Sequence, residues 1–263
     1  MILREVKVDL GLLANEMNYN NSELTKYYKQ IILKNIGIRG QKKISQSKVL
    51  IVGIGGLGCP LLMYLANCGV GTIGLVDNDK VELSNLNRQI LFDNKDIGKY
   101  KVIQAKRRIN SLDKKIKIIT FKERINKKNI RKILSQFDII CDGTDNFLTR
   151  YLINDFCKKK KKILITAAIS KFDGQLFNFN FKKKTPCFRC FMPDDPKNNL
   201  NCDSEGISPP VAGIFGTLIA NEVITSILKL KSYLHGNVLI FDALKTNFRK
   251  IKLNINSNCI NQC

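Results

Sequence analysis

The segment 48-KVLIV-52 is a short apolar, β-branched run that stops at the glycine-rich 53-GIGGLG-58. In 59-CPLLMYLANCG-69, apolar residues then recur at helical spacing up to a glycine stop. A second apolar run, 72-TIGLVD-77, completes a strand–helix–strand unit, and a right-handed crossover places its strands parallel in one sheet. Further strands are predicted at 116–121, 138–142 and 163–168, with helices around 99–111 and 127–136 and another from Thr149 to Lys158. Alternation of this kind implies an α/β class. After residue 168 the pattern changes: 174-GQLFNFNF-181 alternates as an antiparallel strand does. A cysteine-bearing loop, a long helix within 211–230 and a last strand at 237–243 follow.

At the amino end, Leu24, Tyr27, Tyr28, Ile31 and Ile32 have helical spacing behind a capping Ser22, whereas residues 1–21 lack a pattern and read as a loose arm. The expected fold is therefore a Rossmann-like, doubly wound, mostly parallel sheet that continues into an antiparallel or mixed C-terminal half. Residues 22–263 form one domain, with a nucleotide-binding half at about 22–168 and a second half at about 169–263. No internal repeat is visible.

Composition narrows the class. The 263 residues are 44% hydrophobic and 25% charged, as in a globular protein with a substantial core. The net charge of +22 is spread over runs such as 158-KKKKKIL-164 and 182-KKK-184, and reads as a solvated lysine-rich surface without a nucleic-acid partner. The apolar stretch 211–230 is of membrane length, but Asn221 and Glu222 near its middle point to a buried helix and away from a membrane. Nine cysteines behind a charged start, 1-MILREVKVDLGLL-13, suggest reduced thiols in the cytoplasm. Cys59, Cys68, Cys141 and Cys157 fall on apolar faces and are expected in the core; His235, the single histidine, is expected at the surface.

The glycine run carries the first chemistry. Gly53, Gly55 and Gly58 between a strand and a helix let backbone amides approach an anionic phosphate, and Asp77 at the end of the next strand can accept from ribose hydroxyls. Arg88 and Lys101 follow, more fixed cations than a nicotinamide cofactor needs but suited to a triphosphate. Asp145, in 142-DGTDN-146 at the carboxyl edge of the sheet, is the simplest ligand for a magnesium ion beside it. Taken singly, Arg88 and Lys101 could be solvated cations, and Asp145 a cap for the helix after it. Cys187 and Cys190 with Cys259 and Cys263 form a C-x2-C and C-x3-C set with spacings suited to a structural tetrahedral zinc, a clip for the C-terminal half.

In this order, 53-GIGGLG-58, 84-SNLNRQ-89, Lys101, 143-GTDN-146, 187-CFRC-190 and 213-GIFGT-217 resemble the bacterial E1-like superfamily of ThiF, MoeB and HesA over about residues 22 to 263. These enzymes adenylylate the C-terminus of ubiquitin-like sulfur carriers. The resemblance implies ATP contacts from the glycines, Gly56 among them, and from Asn85, Arg88, Gln89 and Lys101, ribose binding by Asp77, and magnesium at Asp145. It also implies a homodimer in which an N-terminal arginine reaches the other subunit's ATP; the matching residue here is Lys29, which keeps the charge but loses the bidentate fork. Cys202 lies where some relatives have a cysteine that links covalently to the carrier, although Asp203 and Glu205 beside it disfavour a thiolate.

The expected reaction is attack of the carrier's C-terminal glycine carboxylate on the α-phosphorus of ATP, giving an acyl-adenylate and pyrophosphate. The carrier would be MoaD-like, as 142–155 resembles MoeB, or ThiS-like, as 189–202 leans to ThiF. A separate donor of cysteine desulfurase or rhodanese type would bring the sulfur. The rival readings are a non-catalytic nucleotide-binding scaffold and an NAD-dependent oxidoreductase.

Overall fold

The structure, a computed structural model, describes residues 21–193 and 206–262; the expectations for residues 1–20, Cys202 and Cys263 lie outside them. The first layer opens with helices α1 (Asn21–Ile31) and α2 (Gly37–Gln46), which lead into β1 (Lys48–Val52), α3 (Gly58–Asn67) and β2 (Thr72–Val76). Then come α4 (Lys101–Leu112), β3 (Lys117–Phe121), α5 (Ile130–Leu134), β4 (Ile139–Asp142), α6 (Phe147–Lys159) and β5 (Ile163–Ser170). The remaining elements are β6 (Asp173–Asn180), α7 (Phe188–Phe191), α8 (Pro209–Ile227), β7 (Asn237–Asp242), β8 (Asn247–Lys252) and α9 (Ser257–Gln262).

All eight strands form one sheet in the order β3-β2-β1-β4-β5-β6-β7-β8. Pairing is parallel from β3 through β5 and antiparallel from β5 to β8, so the change of pattern after residue 168 is the change of strand direction. The inner parallel strands β1, β2 and β4 are buried on both faces, which is why 48–52 reads as continuously apolar, whereas the edge strand β3 is only partly buried. On one face α3, α4 and α8, the last through Phe215, cover Ile51, Ile73 and Ile165; on the other, α5 and α6 cover Leu50, Ile140, Leu164 and Phe177.

Helix α8 has the length and composition to cross a membrane, yet Val211, Phe215, Ile219 and Val223 are buried and it packs on α3 and β5. Its Glu222 Oε2 accepts from Asn178 Nδ2 and Ser232 Oγ, both at 2.7 Å, so the carboxylate in mid-helix is satisfied inside the protein.

The expectations for the last strand, Cys68 and His235 are corrected, and one helix went unpredicted. The last strand is not 237–243: β8 follows it as the sheet edge, and because all six of its residues are exposed it carries no alternating apolar signature. Helix α2 escapes a reading by pattern because Gly37 and Gly40 dilute it; its buried face, Ile38, Gln41 and Ile44, includes a polar residue, and Gly40 lets Leu228 approach to 2.9 Å of where a Cβ would sit. Cys68 and His235 are half-buried, neither core nor surface: Cys68 ends α3, and the His235 backbone bridges to Asn178 while its Nδ1 is buried. Burial pushes the His235 pKa down, with Lys183 adding to the effect.

Candidate active site

The carboxyl ends of β1, β2 and β4 open into a cleft of about 700 Å³, the crevice where an open α/β sheet binds its ligands. Gly53, Gly55, Gly56, Asp77, Asn85, Arg88, Gln89, Lys101 and Asp145 all line it, residues drawn from five separate stretches of chain.

The glycines divide by role. Gly53 has φ of 90°, and a Cβ there would lie 3.0 Å from Gly143 O, so the loops after β1 and β4 touch only because it is glycine. At Gly55 the nearest atom to a Cβ would be Gln89 Nε2 at 3.9 Å; the space above it is open to a ligand. Gly58 does not line the cleft. A Cβ there would meet Gly53 O at 2.1 Å, so Gly58 lets α3 start against the loop and its contribution to the ligand is indirect.

Asp77 Oδ2 accepts from the Ile54 N–H at 2.7 Å and Oδ1 from the Asp79 N–H at 2.8 Å. The carboxylate thus holds the glycine loop in shape while facing the cleft. Burial raises its pKa, partly opposed by these two amides and by Lys101. Lys101 is 6% exposed, stands at the first turn of α4, and places Nζ 3.1 Å from Asp79 Oδ2. Asp79 lines the cleft as well and was not singled out in the sequence, although it lies two residues past Asp77.

Asn85 is buried, its Oδ1 accepting from the Glu82 N–H at 3.3 Å, and the 3-10 turn at Leu83–Asn85 carries Arg88 into the cleft. Arg88 Nη1 donates to Ser84 O at 3.0 Å, which fixes the guanidinium while leaving donors for a ligand. Gln89 is 3% exposed and its Oε1 has no hydrogen-bond partner among the described residues.

Asp145 is exposed on the loop after β4, and the cap of α6 is the next residue: Asn146 Oδ1 accepts from the Thr149 N–H at 2.9 Å. That settles the helix-cap alternative for Asp145. Two residues that the sequence reading did not weigh hold this loop. Asp142, with no exposed side-chain surface, accepts from Thr144 N–H and Oγ1 through Oδ1 and from Thr166 Oγ1 through Oδ2. Arg150 Nη2 donates to Thr144 O at 2.6 Å and Ala167 O at 3.0 Å.

Lys29 lies on α1, exposed, with Nζ 5.9 Å from the centre of the Tyr28 ring, and is not among the lining residues. The cysteines gather elsewhere: the sulfurs of Cys187, Cys190 and Cys259 all lie within 4.8 Å of one another, with Cys187 and Cys259 at 3.2 Å. A tetrahedral zinc with sulfurs at about 2.3 Å needs sulfur pairs about 3.8 Å apart, within the range of this cluster. The Cys190 pKa is lowered: burial would raise it, but backbone amides and the other two thiols outweigh that. Cys59, by contrast, is pushed up to about 12 by full burial and is inert.

The ThiF family model matches residues 27–261. An adenylyltransferase and sulfurtransferase MOCS3 of Culex quinquefasciatus is 42% identical over 236 residues, 89% of this chain and 54% of that protein. The chain therefore spans about half the length of the curated relatives that it matches at this level. A sulfur carrier protein adenylyltransferase of Thermus thermophilus is 36% identical over 249 residues, 92% of each chain. Among solved structures, E. coli MccB with ATP superposes with a TM-score of 0.77 at 24% identity, over 88% of this chain and 72% of that one, a likeness of fold. On the extent of the family match and the identity to these relatives, the chain belongs to the ThiF family.

Proposed function

We propose that this chain is an ATP-dependent adenylyltransferase that activates the C-terminal carboxylate of a ubiquitin-like sulfur carrier, MoaD-like in preference to ThiS-like. The observation that carries the reading is the convergence of Arg88, Lys101, Asp77 and Asp145 around an open glycine loop in one cleft. The scaffold and oxidoreductase readings do not need that set of cations and carboxylates together. The Thermus thermophilus relative, matched over 92% of its length, supports the sulfur carrier as substrate.

In the proposed reaction a carboxylate oxygen of the carrier forms a bond to the α-phosphorus of ATP. The bond from that phosphorus to the bridging oxygen breaks, and its electron pair leaves with pyrophosphate. No base is required, because the carboxylate is ionised at pH 7. The amides of the Gly53–Gly56 loop and Asn85 would hold the phosphates, Asp77 the ribose, and Arg88 and Lys101 would stabilise the developing charge. Gln89 Oε1, buried and without a partner among the described residues, fits a polar ligand beside Gly55. Asp145 has the exposed oxygens that a magnesium ion needs, and magnesium would supply further charge neutralisation. Lys29 would act across a homodimer, and the half of the chain after residue 168 would receive the carrier.

Cys187, Cys190 and Cys259 would hold zinc with Cys263 as the fourth ligand, clipping α7 to the chain end; Cys202 is the proposed covalent partner of the carrier. The test is pyrophosphate exchange into ATP with magnesium and a MoaD-like carrier, a ThiS-like carrier or neither. Exchange that needs one carrier and vanishes with Asp145→Ala is expected; a folded protein that exchanges with neither carrier would return the reading to a scaffold.

A further inference from the structure

The lysines that the sequence scatters are collected by the sheet. β1, β3 and β5 start at the edge opposite the cleft, and β6 and β8, running the other way, finish there. Lys117 opens β3, Lys48 opens β1, Lys162 immediately precedes β5, Lys182 follows the end of β6 and Lys252 closes β8. All but Lys162 are exposed. Eight strands leave seven intervals of about 4.8 Å, so the row extends over roughly 34 Å with a cation about every 5–10 Å. The acids at this end are fewer: Asp138 stands between Lys48 and Lys162, Asp113 is taken by Lys26 and Glu23 by Lys115.

The positive charge is dense enough to be felt locally. Lys162 donates to the carbonyls of Phe137 and Ser135, and its pKa is lowered, first by burial and also by Lys182, despite Asp138. At the β8 end of the row the Tyr233 ring is 65% exposed, with Lys231 Nζ at 5.1 Å and Lys250 Nζ at 5.4 Å from its centre.

Against the expectation of a dispersed, solvated lysine surface without a nucleic-acid partner, we infer from this placement that the edge of the sheet opposite the cleft binds the phosphate backbone of a single-stranded nucleic acid, with Tyr233 as a stacking platform for a base. A line of cations at this spacing follows a linear polyanion, and an exposed ring flanked by ammonium groups is what sequence-tolerant binding of single strands uses. An acidic protein surface would use the cations without the ring. This surface is separate from the cleft, so its occupancy does not depend on the adenylation reading.

The test is fluorescence anisotropy of the full chain with a labelled single-stranded RNA of about 15 nucleotides, titrated at several salt concentrations. Replacing Lys48, Lys117, Lys182 and Lys252 by Gln is expected to weaken binding at least tenfold and to reduce the magnitude of the salt slope by about 3. Tyr233→Leu, which leaves every charge in place, is expected to weaken it about fivefold or more. A control that replaces Lys95, Lys122, Lys127 and Lys128 by Gln, at the other end of the sheet, should bind as the parent does. Equal loss in row and control variants would show only diffuse attraction, and tighter binding of polyglutamate than of RNA would assign the surface to an acidic protein. Either result, or the absence of RNA binding in low salt by a parent with a normal melting curve, overturns the inference.

Discussion

Arg150 Nε lies 3.2 Å from Asp142 Oδ2, an ion pair with both side chains buried, and the same guanidinium holds the carbonyls of Thr144 and Ala167. The pair joins the end of β4, the loop carrying Asp145 and the far part of β5. Its guanidinium also sits 5.3 Å from the Phe188 ring, next to Cys187.

Arg150→Met leaves the buried Asp142 without its ionic partner. Breaking such a pair costs about 3–5 kcal/mol. Urea unfolding should show that loss, whereas Asp142→Asn combined with Arg150→Met should recover part of it. A double variant as unstable as the single one would mean that the pair is not what holds the loop.

Asp145→Asn should behave in the opposite manner. The residue is exposed and does not cap α6, so stability should change by no more than about 0.5 kcal/mol. Magnesium-dependent turnover should fall at least about 100-fold. Loss of turnover together with a large loss of stability would show a structural role instead.

The two ends of the glycine run should separate fold from ligand. Gly58→Ala drives a methyl into Gly53 O and should destabilise by about 1–3 kcal/mol or more. Gly55→Ala meets nothing closer than 3.9 Å; it should leave the melting temperature unchanged while weakening ATP binding, as calorimetry would read. Equal thermal shifts in both variants would contradict this division.

Asp77 provides a pH dependence. Its carboxyl has a folded-state pKa raised above the unfolded value, so the folded chain binds that proton more tightly. Its burial therefore lowers stability when the carboxylate is charged, and the penalty is relieved as pH falls through the raised value. If Asp77 is the proposed ribose acceptor it must be charged to act, so ATP affinity should weaken at a higher pH than an ordinary aspartate would give. Asp77→Asn should flatten that profile; an unaltered profile would assign the titration to another group.

Metal analysis should find about one zinc per chain, and chelation should lower the melting temperature by about 10 °C, the size expected for a ligand worth about 3–4 kcal/mol. Cys187→Ser should abolish both the zinc and the chelator effect. A chain that melts identically with and without chelator would leave the three sulfurs as neighbouring thiols.

What local pattern could reveal follows from where signals are local. The β1–glycine–α3–β2 unit, the switch to antiparallel strands after 168 and the Cys187/Cys190 spacing each lie within one continuous stretch of about thirty residues or fewer, where periodicity, glycine and spacing are sufficient. Such signals determined the fold class and brought Asp77, Arg88, Lys101 and Asp145 forward as one set. Tertiary structure decided the rest, because it depends on contacts between distant segments. Gly58 packs on Gly53 O and stays out of the cleft lining, Arg150 is claimed by Asp142 and Ala167, and β8 exists only as the partner of β7. Lysines at 48, 117, 162, 182 and 252 are scattered charges along the chain; sheet pairing, which no linear pattern encodes, puts them in one row.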